Sequence, residues 1–170
     1  MVKETEEMIE QDKEVFIEYM LNNGALEKLL RKWKRKRKTG ESLFELITGI
    51  VNRDKEQGGF ILSVKSDLIP TGADHLELFL TPKYPHLNLN YVEGKDNGKY
   101  AMVFTSKERF RECNDTSGVV MFIGDLIYLL EQKAEVDGII LNLEKEEIIF
   151  GKDWLRAILC ILEKENARTL

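Results

Sequence analysis

Thr105, Ser106 and Glu108 place two hydroxyls and a carboxylate within four residues, directly after the apolar run Tyr100-Ala101-Met102-Val103-Phe104. A hydroxyl beside a base is the raw material of nucleophilic catalysis, but a catalytic serine of the G-x-S-x-G type needs a strained elbow, and that pattern is missing. Thr105-x-x-Glu108 has the spacing of a capping box, in which each side chain accepts from an amide of the other's turn. Free amides at a helix start could also hold an anion. Capping is the simplest account, with Ser106 solvated at the first helical position.

The other reactive residues are dispersed. His75 and His86 are the only histidines, with Asp74 and Pro85 beside them. Zinc requires three or four ligands at workable spacing, and neither a cysteine pair nor an H-E-x-x-H helix supplies them. A Ser-His-Asp set around Asp74-His75 would have to be recognised by geometry. Strand-end or surface positions account for both histidines. Cys113 and Cys160 fall on predicted helices, form no C-x-x-C pair and imply no disulfide framework, so buried or half-buried thiols are expected. Gly58-Gly59, Gly94 and Gly98 mark turns, and no phosphate-cradling glycine motif occurs. No cofactor and no metal are expected.

Charge is segregated. The net charge is −5, yet Arg31, Lys32, Lys34, Arg35, Lys36, Arg37 and Lys38 put seven cations into eight positions around Trp33. Residues 1–18 hold seven acids against two lysines. Eight helical residues rise only ~12 Å, so the cations repel one another. Nucleic acid or another acidic partner would relieve that repulsion, with Trp33 available to stack on a base. Two bland terms compete: Trp33 continues the stripe of Leu26, Leu29 and Leu30, and cations suit a helix C-terminus. The acidic first helix, packed alongside, would neutralise the rest.

The elements that must position these residues follow from hydrophobic period. Met8, Ile9, Val15, Phe16, Tyr19 and Met20 share one helical face, and Asn22-Asn23-Gly24 suits a stop with Gly24 in the left-handed position. A second helix ends at Thr39-Gly40, and Ser42 with Glu45 forms a capping box for a third, which turns Leu43, Leu46, Ile47, Ile50 and Val51 inward. From Gly58-Gly59 the period drops to two, through Phe60, Leu62 and Val64 and again through Leu76, Leu78 and Leu80. The run over 87–91 alternates leucine with asparagine, and Asp96-Asn97-Gly98 should join it to the strand over 100–104 as an antiparallel hairpin. Strand over 119–123, helix over 125–133, strands over 139–143 and 148–150 and a closing helix with Trp154, Leu155, Ile158, Leu159 and Leu162 complete the chain. Alternating strands and helices favour parallel pairs while the hairpin demands an antiparallel one, so a mixed sheet flanked by helices is expected.

The segment from Tyr100 onward resembles the N-terminal domain of the enhanced-serine-sensitivity (SseB) proteins. Ala101-Met102-Val103-Phe104-Thr105-Ser106-Lys107-Glu108 matches the family's apolar strand running into Phe-Thr-Ser, and Asp137-Gly138-Ile139-Ile140-Leu141-Asn142 its glycine-led apolar strand. Ile149-Phe150-Gly151-Lys152-Asp153-Trp154-Leu155 is similar to its last strand and helix. Leu143 stands where the family often has proline. The resemblance implies a bacterial interaction or regulatory module, with Phe104, Thr105, Ser106, Glu108, Gly138 and Asn142 as structural motif residues.

The expectation is one α+β domain of 170 residues, with an N-terminal helical segment over 1–57 packed on an α/β core over 58–170. The longest apolar stretch, 119–130, is interrupted by Gly124-Asp125, and the start of the chain lacks a signal-peptide core, so no membrane span and a cytoplasmic location are expected. The function expected is non-enzymatic, with a protein partner. One alternative is nucleic-acid binding through residues 31–38, and another is an enzyme whose site gathers Phe104, Thr105 and His75.

Overall fold

The change of period at Gly58-Gly59 is where helices give way to a sheet in the computed structural model, which describes residues 2–36, 39–65, 76–78, 87–112 and 117–168, the side chains of 2–9, 77 and 168 aside. Ahead of it stand α1 (Val2–Met20), α2 (Gly24–Arg35) and α3 (Gly40–Lys55). Then follow β1 (Gly59–Val64), β2 (Leu76–Leu78), β3 (Tyr91–Glu93), β4 (Lys99–Phe104), α4 (Lys107–Glu112), β5 (Ser117–Phe122), α5 (Ile123–Gln132), β6 (Gly138–Leu141), β7 (Ile148–Gly151) and α6 (Lys152–Arg168). Arg37, Lys38, His75, His86, Leu80 and Cys113 lie outside the described residues.

The sheet is mixed and runs β2-β5-β1-β4-β6-β7, with β3 beside β4. Pairs β2/β5 and β4/β6 are parallel and the others antiparallel. The hairpin forms as the Asp96-Asn97-Gly98 chemistry demands, with Tyr91 opposite Ala101 and Asn97 at φ 63°. Its first arm is shorter than the alternation suggested: Leu89 contributes one isolated bridge to Val64, and regular pairing starts at Tyr91. Gly138 faces Gly151 across β6/β7, and a Cβ at Gly138 would collide with the Phe150 carbonyl oxygen. That close approach requires glycine.

Two cores sandwich the sheet. One gathers Leu26, Leu30, Leu46 and Ile50 of α2 and α3, Leu126 and Leu130 of α5, and Leu155, Ile158 and Leu162 of α6 against Phe60, Leu62, Val103 and Leu141. The other packs Ile17, Met20 and Leu21 at the end of α1, with Phe110 of α4, on Ile61, Phe104 and Val120. Central β1 is therefore buried at all six residues, and its period-two pattern captures only one of its faces. The helical segment over 2–55 thus builds part of the main core.

Three local expectations need correction. The core face of α1 is Ile17, Met20 and Leu21, while Val15 and Tyr19 are exposed, because the segment beyond the helix end also packs on the sheet. Gly24 is the first residue of α2 and its φ is not left-handed. The end of α1 is instead held by buried Arg53, whose Nη2 donates to the carbonyls of Met20 at 3.0 Å and Tyr19 at 3.3 Å. A cation at a helix C-terminus also meets the favourable end of its dipole. Finally, α3 begins one turn before Ser42: Thr39 Oγ1 accepts from the Ser42 amide at 3.3 Å, and the Ser42 hydroxyl donates back to the Thr39 carbonyl at 2.9 Å. Glu45 is freed from capping and pairs with Lys32.

Candidate functional site

The Phe104-Thr105-Ser106 junction and Asn142 do meet. Parallel strands β4 and β6 end side by side, and Asn142 turns out of β6 at φ 52°, a left-handed conformation that asparagine tolerates. Its Oδ1 accepts from the Thr105 amide at 3.0 Å and its Nδ2 donates to Thr105 Oγ1 at 2.9 Å. The Thr105 hydroxyl donates to Glu27 Oε1 of α2 at 2.7 Å. The Thr105 carbonyl accepts from Asn23 Nδ2 at 2.8 Å, and the same nitrogen donates to the Gly59 carbonyl at 2.9 Å. Asn23 Oδ1 in turn accepts from Arg53 Nε at 2.9 Å.

Every polar group of Thr105 is occupied, and Thr105 and Asn142 have no exposed surface. The hydroxyl–carboxylate pair has the atoms of a nucleophile and base, with Thr105 enclosed and Glu27 half-buried. It stitches α2 to the ends of β4 and β6. Phe104 is equally enclosed, its ring meeting Phe110 edge-on at 5.6 Å.

The capping roles differ from the Thr-x-x-Glu expectation. Ser106 is the residue before α4, and its Oγ accepts from the Arg109 amide at 3.2 Å. Glu108 is exposed. Thr105 is drawn away from the cap because Asn142 and Glu27 already saturate its hydroxyl, partners that sequence spacing cannot show.

The same corner explains much of the basic run. Glu146, buried in the β6–β7 connection, receives Arg109 through Nε at 3.0 Å and Nη2 at 2.8 Å, with Arg31 at 3.4 Å. Burial opposes the charge of Arg109, but the hydrogen bonds and charge of Glu146 outweigh it and raise its pKa. Lys32 pairs with Glu45 at 2.6 Å, and Lys34 donates to the Lys145 carbonyl at 2.8 Å. Arg31 and Lys32 thus find Glu146 and Glu45 as partners, while among the described side chains of the acidic first helix Glu10, Asp12, Glu14 and Glu18 are exposed. Arg35 and Lys36 are exposed, and Trp33 packs on the main core as a half-buried anchor.

A groove of about 760 Å³ lies between α3 and α6, lined by Leu43, Phe44, Ile47, Val51, Trp154 and Ile161 among others. Phe44 is 71% exposed, Trp154 44% and Ile161 38%. Sequence reasoning assigned Phe44 no face and grouped Trp154 with Leu155, Ile158, Leu159 and Leu162 on the closing helix. Leu155, Ile158 and Leu162 occupy the inner face of α6, and Trp154 is rotated out by one position. The same phase leaves Cys160 exposed, against the expected buried thiol. The available signal was stripe width: apolar residues at 43, 44, 46 and 47, and at 154, 155, 158, 159, 161 and 162, cover more than one face of each helix.

Polar atoms at the groove are engaged nearby. Thr48 Oγ1 donates to the Phe44 carbonyl at 2.9 Å, and Lys55 Nζ meets Glu165 Oε2 at 2.6 Å. On the far side of α3, Asp54 accepts from the Gly124 amide at 3.0 Å. Burial raises the Asp54 pKa against the lowering effect of that bond, and burial with the Asp54 charge raises that of Asp125. Among the described residues, no group of three or more His, Cys, Asp or Glu could hold a metal ion. None of the described helices is long and apolar enough to cross a membrane.

Among protein-family models, curated proteins and solved structures, none matches this chain.

Proposed function

We propose that the chain is a cytoplasmic, SseB-like interaction module without catalysis, docking a partner protein through the α3–α6 groove. The observation that carries this reading is the line of Phe44, Trp154 and Ile161 left open to water beside a finished core. An exposed apolar patch of a few hundred Å² is often functional in a soluble domain. The enzyme alternative is disfavoured by the enclosure of Phe104 and Thr105. Nucleic-acid binding is disfavoured by the engagement of Arg31, Lys32 and Lys34 within the fold. Gel retardation at low salt, with and without neutralised Arg35 and Lys36, tests that alternative separately.

A photo-reactive phenylalanine analogue at position 44, expressed in the native host, tests the docking reading. A discrete protein adduct is expected from position 44, lost on adding Trp154→Glu, with none from the same analogue at exposed position 108. Adducts from 108 alone, or none from 44, overturn it.

A further inference from the structure

We infer that the free edge of β7 pairs with β7 of a second copy of this chain, antiparallel and two-fold about Ile149, to form a weak, reversible dimer. None of the β7 residues lines the α3–α6 groove, so this inference stands or falls apart from the docking reading.

β7 ends the sheet, with β6 on one side and no described strand on the other. The phase of its hydrogen bonds shows which backbone groups are left over. The Lys152 amide donates to the Asp137 carbonyl at 3.0 Å, and the Asn142 amide to the Val103 carbonyl at 2.9 Å. Odd residues of β6 therefore face β7, and even ones face β4. Bonded and non-bonded positions alternate along an antiparallel pair. Ile148 and Phe150, opposite Leu141 and Ile139, thus turn their amides and carbonyls toward β6. Those of Ile149 and Gly151 point away from the sheet. Such a row of donors and acceptors is matched by another extended strand.

The side chains point the same way. Ile148 and Phe150 lie in the main core, which sets Ile149 on the opposite face, where it is 42% exposed. The other strands with a free side contain acids, Glu77 in β2 and Glu93 in β3. A charge within an edge strand discourages pairing between chains, and proline removes a donor. Ile148-Ile149-Phe150-Gly151 contains neither.

Register selects the occupant. Outward groups must meet outward groups, so a two-fold axis can be centred on Ile148, Ile149 or Phe150. Centring on Ile148 sets Ile149 against Glu147 of the other copy. Centring on Phe150 sets Glu147 against Asp153, and like charges directly opposite destabilise a pair. Centring on Ile149 stacks the two Ile149 side chains and leaves Glu147 facing Gly151. In that register the strand is complementary to itself. Four residues of strand span only ~14 Å, so the contact falls well below the ~800 Å² that each partner of a stable complex buries. The dimer therefore dissociates on dilution.

The test is sedimentation velocity of the full chain from micromolar to millimolar concentration, with amide hydrogen exchange measured at both ends of the range. The weight-average mass should rise toward twice that of the monomer. The Ile149 and Gly151 amides should exchange more slowly at the higher concentration, while the Phe150 amide, already bonded to β6, stays unchanged. Ile149→Lys places like charges on the two-fold axis and should remain monomeric throughout with the wild-type circular dichroism spectrum. Phe44→Glu should dimerise as the wild type does. A wild-type chain that stays monomeric at millimolar concentration overturns the inference. So does a dimer in which the Ile149 and Gly151 amides gain no protection, a readout that needs no variant to fold. A dimer lost in Phe44→Glu and kept in Ile149→Lys assigns the contact to the groove and overturns the edge pairing.

Discussion

At the Thr105 corner every polar group of a buried residue has a protein partner, whereas in the α3–α6 groove aromatic side chains stand open to water. The corner carries the residues that look reactive, and the groove carries none. Burial reverses that impression. A hydroxyl bonded to a carboxylate acts as a fastener when no solvent or ligand reaches it, and an unremarkable phenylalanine becomes the feature needing explanation once it is left uncovered. The difference predicts that damage to the corner is read in stability, while damage to the groove is read in binding.

Removing the buried charge at the corner should have the largest effect. Glu146→Ala leaves Arg109 without its bidentate partner, and breaking a buried pair in this way costs ~3 kcal/mol or more. Urea unfolding should show that loss as a lowered midpoint at unchanged slope. Asn142→Ala comes next. It removes two hydrogen bonds to Thr105 and the side-chain amide that lets asparagine tolerate a left-handed φ better than alanine does, for an expected loss of about 2 kcal/mol. Asn142→Gly should recover part of that loss by relieving the backbone, and thermal denaturation of the pair separates the two causes.

Groove substitutions should leave stability nearly untouched. Phe44→Glu is expected to change unfolding free energy by no more than ~0.5 kcal/mol while eliminating photo-crosslinking to a partner from position 161. A large destabilisation would mean that Phe44 belongs to the core after all.

The smallest effect expected is at Asp54, and it depends on pH. Burial raises its pKa in the folded state, so ionised Asp54 disfavours folding. As pH falls through the raised folded value and then the unfolded one, the acid is protonated and that penalty disappears. Asp54→Asn keeps an oxygen to accept from the Gly124 amide. It should stabilise the protein slightly near pH 7, by about 0.5 kcal/mol or less, and not at all near pH 3. A gain equal at both pH values would contradict the assignment to charge.

The layers of this fold were legible because they depend on local period. The switch at Gly58-Gly59, the Asn97-Gly98 hairpin and the mixed sheet flanked by helices all follow from residues near one another in the chain. The roles within the corner were legible only in part. That Phe104-Thr105-Ser106 turns a strand into a helix could be read directly. Which hydroxyl caps that helix could not, because it depends on Asn142 and Glu27, which lie 37 and 78 residues from Thr105. The partners of Arg31 and Lys32 were hidden for the same reason, since Glu146 and Glu45 arrive from the β6–β7 connection and from α3. For Phe44 and Trp154 the obstacle was different. An apolar residue one step off the core stripe reads as core until the neighbouring helices are seen to leave it uncovered.

The central claim, that the corner holds the fold while the groove meets the partner, is tested most directly by comparing Phe44→Glu with Glu146→Ala in urea unfolding and in photo-crosslinking to a partner from position 161. The account predicts that Phe44→Glu abolishes the adduct at an unchanged midpoint, while Glu146→Ala lowers the midpoint and keeps the adduct under folding conditions. A lowered midpoint in Phe44→Glu, or an adduct that survives it, would contradict it.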